Sequence, residues 1–239
     1  MAAAERGARG SAPAPAPGPL SASRNLSEAD VYALLEGAGI KVAPYRLVRT
    51  ADEAVRAAEE FGYPAVCKVA SADLMHKSKL GGVALDLRSA AQVREAFDGI
   101  IARVGRAVPE AKIDGCLICG QVPRGLAEAI VGTTRDAEFG RVVMFGVGGE
   151  FAEVIKAVDF RSHPVGADEA AAMARKVQGR MKASAGWSRV APTVPAELVR
   201  RFSELLAGHP EVESIDINPA VLYEDRYIVI DAKGTLAAN

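Results

Sequence analysis

Apolar residues along this chain follow two rhythms, one helical and one alternating. Val31, Leu34 and Leu35 share one face and stop at Gly37-Ala38-Gly39, which predicts a helix over 28–37. KVAPYRLV, over 41–48, predicts a short strand. Thr50-Ala-Asp-Glu53 is a capping box, and Ala54, Val55 and Ala58 continue it at helical spacing. The apolar run 64–70 predicts a buried strand and 83–87 another. Ser89 and Gln92 open a further helix over 90–104. Strand patterns then cluster at 116–122, 127–133, 141–145 and 152–158, separated by glycine-rich turns. Helices are predicted at 168–182, where Met173, Val177 and Met181 recur, and at 195–207. A strand at 212–217 and a hairpin joining 220–222 to 227–231 close the pattern.

This order predicts an α+β fold of α/β lobes with mixed sheets. Proline and glycine around 61–64 and 105–115 soften the chain there. The expected division is a small first lobe over about 26–115 and a second over about 116–235, within a module spanning 26–239. Residues 1–25 are rich in Ala, Pro, Gly and Ser, with too little apolar side chain to offset the entropy of ordering, so a disordered tail is expected.

The 239 residues are 49% hydrophobic, enough for two modest lobes, and carry a formal charge of -1. That balance excludes a broad basic footprint for nucleic acid but not a compact phosphate pocket, which needs one or two lysines. Three cysteines, Cys67, Cys116 and Cys119, fall in apolar strands and read as core residues of a reducing compartment. No apolar run is long enough for a membrane span, and the N-terminus lacks a secretory signal pattern. A cytoplasmic protein with no nucleic-acid or membrane partner is expected.

Four constellations carry chemistry. Lys68 interrupts the apolar strand PAVCKVA; a lysine there needs a partner, a phosphate or a path to water. The segment 73–82 sets His76, Lys77 and Lys79 before Gly81-Gly82; it reads either as a phosphate-facing turn or as a solvated loop. FGRVVMFGVGG, over 139–149, holds a strand between glycine turns that end at Gly148-Gly149, and it reads equally as a ligand-facing loop or a plain hairpin. Asp216 and Asn218 are two apart on a predicted strand and so share a face, and Asp231 ends the next strand-like run. Two carboxylates and an amide oxygen suit Mg²⁺, although turn capping uses the same residues.

HKSKLGGV, DAEFGRVVMFGVGG, the AEV–FR segment over 152–161, and DINP stand in one order along the chain. With them, residues 27–235 resemble the ATP-grasp module, the beta subunit or domain, of ADP-forming acyl-CoA synthetases such as acetate–CoA ligase (ADP-forming). That module is also similar to the beta subunit of succinyl-CoA synthetase. The resemblance implies two lobes clasping ATP/ADP with Mg²⁺. It implies that Lys68 and Lys77 meet the phosphates, that Gly81-Gly82 and Gly148-Gly149 lie beside them, and that Glu128 stands near the nucleotide. Asn218 and Asp231, supported by Asp216, would hold the magnesium. His76 would handle a phosphoryl group, with Arg161 at the family's post-strand arginine. The implied reaction is acyl-CoA + ADP + phosphate ⇌ carboxylate + CoA + ATP. It requires an alpha-type CoA-binding partner carrying the acyl-CoA and phosphohistidine site, with a small carboxylic acid and CoA as substrates of the complex. Two further readings are a nucleotide-binding regulatory or assembly protein on the same fold, and another ATP-dependent carboxylate ligase. Lys79 stands where the family usually has aspartate, and Cys119 where it usually has glutamine.

Overall fold

The computed structural model describes residues 24–74, 77–149 and 157–237. Strand β1 (Arg24–Asn25) leads into α1 (Glu28–Gly37), followed by β2 (Tyr45–Val48), α2 (Ala51–Phe61) and β3 (Ala65–Ala70). A 3₁₀ turn (Lys77–Leu80) precedes β4 (Val83–Leu87), α3 (Ala90–Ala107) and β5 (Gly115–Gly120). The long hairpin β6 (Ala127–Asp136) and β7 (Gly140–Val147) is followed by β8 (Val158–Ser162), α4 (Ala167–Arg180), a 3₁₀ turn (Trp187–Arg189) and α5 (Thr193–Gly208). Strands β9 (Val212–Leu222), β10 (Tyr227–Val229) and β11 (Ala232–Leu236) complete the order.

The strands form two sheets. The small one runs β2-β5-β3-β4, and the large one runs β1-β11-β9-β6-β7-β8 with β10 paired to β9. The expected two-lobed α+β architecture is present. Every ladder between named strands is antiparallel. Among the described residues, parallel pairing is confined to the isolated bridge Val42–Val229.

Alternation along β3 explains how the lobes meet. Ala65, Cys67 and Val69 face α2 and α3, packing with Ala54, Ala58, Phe97 and Ile100. Val66 faces the other way, into a core shared with Val31, Tyr32 and Leu35 of α1 and with Val131, Ile217 and Val229 of the large sheet. Lys68, two residues on, points to that same inner side. The small sheet is therefore covered by helices on one face and by the other lobe on its inner face.

Both α1 and α2 begin with reciprocal caps. Ser27 accepts from the Asp30 amide and Thr50 from the Glu53 amide, while each acid reaches back to the cap backbone. The Ser89 hydroxyl likewise accepts from the Gln92 amide at the start of α3.

Three readings shift. The strand beginning at 115 belongs to the small sheet, between β2 and β3, so the chain changes sheet across 121–126 rather than near 115. Its six residues are apolar or glycine and fit either sheet by pattern alone. The segments 212–217 and 220–222 are one continuous strand, β9. Pro219 is tolerated there because the β6 ladder shifts register between Ala129 and Val131, opposite the proline. The strand predicted over 152–158 falls almost wholly outside the described residues, and β8 starts at Val158.

Candidate functional site

A cleft of about 550 Å³ opens where the inner face of the small sheet meets β9 and β11. Lys68, Lys77, Ser78 and Lys79 line its small-sheet side. Asp216, Asn218, Asp231 and Lys233 line the opposite wall. The early basic turn and the late acidic group, more than 130 residues apart in sequence, thus share one cleft.

Lys68 is buried and fully partnered. Its ammonium donates to Glu28 Oε1 at 2.6 Å and to the Ile230 carbonyl at 2.7 Å, and it lies 3.9 Å from Asp231 Oδ1. Lys77 donates to the other oxygen, Glu28 Oε2, at 2.8 Å. Glu28 sits in the first turn of α1, with a side chain only 3% exposed. Burial pushes its carboxyl up, but the charges and hydrogen bonds of Lys68 and Lys77 outweigh burial and hold its pKa at about 2. For Lys68, burial pulls the ammonium down, and the neighbouring Glu28 and Asp231 raise it overall above the ordinary lysine value. The pair is thus ionised on both sides.

The acidic wall is built by backbone pairing. Asp216 and Asn218 point the same way from β9, while Ile215 and Ile217 between and beside them are buried. The Asn218 amide donates to the Asp231 carbonyl at 3.1 Å, which sets Asp231 beside Asn218. Asn218 Oδ1 accepts from the Gly149 amide at 3.0 Å, and Asp216 pairs with Lys233 at 3.3 Å. The Asp231 side chain is 58% exposed at the cleft mouth, yet the surrounding walls and nearby Glu28 raise its carboxyl above the usual range against the pull of Lys68. Among the described residues, no group of three or more His, Cys, Asp and Glu side chains gathers around one point. The oxygen set on this wall is instead two carboxylates and one amide, a combination that fits a hard divalent cation shared with a ligand.

The expected glycines, Glu128 and Arg161 are not part of the lining of this cleft. Gly81 adopts φ +64, and a Cβ on Gly82 would come within 2.7 Å of Val69 and 3.0 Å of the Lys77 carbonyl. Their demand for glycine is therefore met by the fold itself: the pair turns the chain tightly enough to hold Lys77–Leu80 against β3. Gly148 is pressed on the Ala129 carbonyl, and Gly149, at φ +74, has the Glu128 carboxylate against it. Arg161 is on the outer strand β8, ion-paired with buried Asp159 at 2.7 Å and bonded to the Phe160 carbonyl, away from the lining of the cleft. His76 lies outside the described residues.

The residue missed from the sequence is Glu28. Its signal was legible: Glu28, Val31, Tyr32 and Leu35 stand at i, i+3, i+4 and i+7, so an acid occupies the apolar stripe of α1. A carboxylate so placed calls for buried cations.

Known proteins share this fold. A family profile described as ATP-grasp domain matches residues 20–236. The beta subunit of acetate–CoA ligase (ADP-forming) I from Pyrococcus furiosus is 36% identical over 213 residues, covering 88% of this chain and 91% of that protein. The chain belongs to the ATP-grasp family, among the beta subunits of acetate–CoA ligase (ADP-forming). Acetate–CoA ligase (ADP-forming) I of Archaeoglobus fulgidus is 40% identical over 219 residues. Those residues span 91% of this chain but only 32% of that longer relative. Among solved structures, the dinucleotide-forming acetyl-coenzyme A synthetase 1 of Ca. Korarchaeum cryptofilum carries the same ATP-grasp frame. Its complex with coenzyme A, Ca-AMPCP and HgCl+ gives a TM-score of 0.83 at 34% identity, covering 89% of this chain and 93% of that one. Its complex with coenzyme A and Mg-AMPPCP, with a phosphohistidine segment pointing towards the nucleotide binding site, gives 0.75 at 31% identity with the same coverage.

Proposed function

We propose that this ATP-grasp chain is the nucleotide-binding beta subunit of an ADP-forming acyl-CoA synthetase, moving phosphate between ATP/ADP and a phosphohistidine relay in acyl-CoA + ADP + phosphate ⇌ carboxylate + CoA + ATP. The observation that carries the reading is the approach of Lys68 to within 3.9 Å of Asp231, from opposite sheets, across the cleft. A phosphate-binding cation and a metal-binding carboxylate meet there, as phosphoryl transfer requires.

In this reading Lys68 and Lys77 bind the phosphate oxygens as compact positive charges. Asp231, Asn218 and Asp216 hold magnesium, which when bound neutralises phosphate charge. The Gly149 amide orients Asn218 through Oδ1. Glu128 and Gly148 shape the adjoining turn. Gly81 and Gly82 position Lys77 rather than touch the nucleotide. His76 exchanges the phosphoryl group with the relay, a role that rests on its place in HKSK. Catalysis by these residues is mainly placement and charge neutralisation. The relatives' names support an alpha-type partner that binds CoA and a small carboxylic acid.

The test is direct. The purified chain should bind Mg-ADP by calorimetry. With an alpha-type partner, ATP and Mg²⁺, it should give an acid-labile phosphohistidine. Nucleotide binding without any label on either chain would favour the regulatory reading instead.

A further inference from the structure

The Glu28 carboxylate uses both oxygens on lysines of the small sheet, Lys68 from β3 and Lys77 from the 3₁₀ turn. One turn along α1, Tyr32 is fully buried, and its hydroxyl has no hydrogen-bond partner among the described residues. A buried, unpaired phenol costs free energy and calls for an explanation. A candidate acceptor is Glu28, four residues back on the same helix face; burial first, and then the charge and nearness of the Glu28 carboxylate, raise the phenol's pKa, yet the two are not in hydrogen-bonding geometry. That acceptor is turned to the two lysines instead. The Lys68 ammonium also lies 6.0 Å from the centre of the Tyr32 ring, so the four groups form one enclosed set.

Resting on the nucleotide reading above, we propose that Glu28 is a resident stand-in for phosphate and that Tyr32 is its alternative partner. Without nucleotide, Glu28 holds the Lys68 and Lys77 side chains in place. When a nucleoside di- or triphosphate enters, Lys77 passes from Glu28 Oε2 to a phosphate oxygen. The freed carboxylate oxygen then accepts from the Tyr32 hydroxyl. The exchange leaves neither Glu28 nor Tyr32 unpaired in the liganded state. Tyr32 thus acts as a positioning residue that never touches the nucleotide.

Lys77 is the ammonium suited to leave. Lys68 keeps a second partner in the Ile230 carbonyl, whereas Lys77, among the described residues, is ion-paired with Glu28 alone and carries a more exposed side chain, 17% against 11%.

The experiment measures Mg-ADP affinity by calorimetry, and melting temperature without ligand, on wild type, Tyr32→Phe, Glu28→Gln and the double variant. Tyr32→Phe removes an oxygen with no hydrogen-bond partner among the described residues, so the melting temperature should hold or rise. Its Mg-ADP affinity should nevertheless fall about tenfold, the worth of a hydrogen bond to a charged group. In the Glu28→Gln background the same change should cost less than about threefold, because the carboxylate it serves is gone. Unchanged affinity in Tyr32→Phe, or equal losses in both backgrounds, overturns the exchange while leaving nucleotide binding intact. A wild-type chain that does not bind Mg-ADP overturns the nucleotide reading and this proposal with it.

Discussion

Lys68 Nζ and Glu28 Oε1 lie 2.6 Å apart in the interior, on residues 40 apart in sequence. The lysine belongs to the small sheet and the acid to the helix wedged between the sheets. Their contact therefore fixes the Lys68 ammonium relative to both lobes. An ion pair at this depth is costly to break from one side, because the surviving charge has no water to return to. Lys68→Met should lower the unfolding free energy by roughly 3–5 kcal/mol and abolish measurable Mg-ADP binding. Glu28→Leu combined with Lys68→Met should recover much of the stability but none of the binding. Urea unfolding with calorimetry on the three proteins separates the two effects. A Lys68→Met protein that still binds Mg-ADP at wild-type affinity would remove the lysine from the site.

The same pair predicts a pH dependence. The Glu28 carboxyl titrates at about 2 in the folded protein, against 4.5 for an ordinary glutamate. A depressed carboxyl stabilises the fold above its unfolded value, and that contribution is lost as pH falls through the folded one. The stability gap between wild type and Glu28→Gln should be on the order of 3 kcal/mol above pH 5 and should close between pH 4.5 and 2. Comparing the two proteins cancels the titration of acids that do not feel Glu28; Asp231, whose carboxyl Glu28 helps to raise, leaves a residual difference. A gap that stays constant to pH 2.5 would mean that Glu28 is not held ionised by the lysines.

The proposed magnesium role of the acidic wall is testable apart from the lysines. Asp231→Asn keeps an oxygen but removes the charge. Magnesium should strengthen ADP binding to wild type at least tenfold, and that enhancement should drop to under about threefold in Asp231→Asn. In the presence of a chelator the variant should bind free ADP as well as wild type or better, since a like charge has left the neighbourhood of the phosphates. Full retention of the magnesium effect would exclude Asp231 as a ligand.

How much of this could be read from the residues alone differs by scale. Helix starts were legible wherever a cap was written in the chain: Thr50-Glu53 and Ser89-Gln92 open helices where expected. Lys68, Asp216, Asn218 and Asp231 stood out because polar groups in apolar strands need partners, and the structure brings all four to one cleft. Sheet membership was not legible. GCLICG is compatible with any buried strand, and only pairing partners placed it beside β2 and β3. Strand β11, with Lys233 and Gly234 inside it, lacks an apolar rhythm and went unread. The glycines at 81 and 82 were visible, but whether they face a ligand or their own fold depends on Val69 and Lys77, which approach only after folding.

Arg161 separates nucleotide binding from later steps. It is anchored to Asp159 on the outer strand, outside the cleft lining. Arg161→Gln should therefore leave Mg-ADP affinity within twofold of wild type, while Asp159 keeps Lys176 as its remaining cation. A tenfold loss of affinity would show that the outer strand closes onto the phosphates when nucleotide binds.

Gly149 links the glycine turn to the metal wall. Its φ of +74 belongs to the left-handed region, where a side chain costs about 1–2 kcal/mol. A Cβ there would also meet the Glu128 carboxylate, although that flexible end can swing aside. Gly149→Ala should lower stability by about 1–2 kcal/mol, and it should do more than that at the site. Its amide donates to Asn218 Oδ1, so a shifted backbone releases the amide oxygen proposed to bind the cation. The expected signature is a weaker magnesium enhancement of ADP binding, with affinity in chelator little changed. Gly140→Ala provides the control: it too sits at positive φ, +69, but in a hairpin turn with nothing near the added carbon. It should lose similar stability and keep the full magnesium effect. Equal responses of the two variants to magnesium would mean that the Gly149 amide does not hold Asn218 in place.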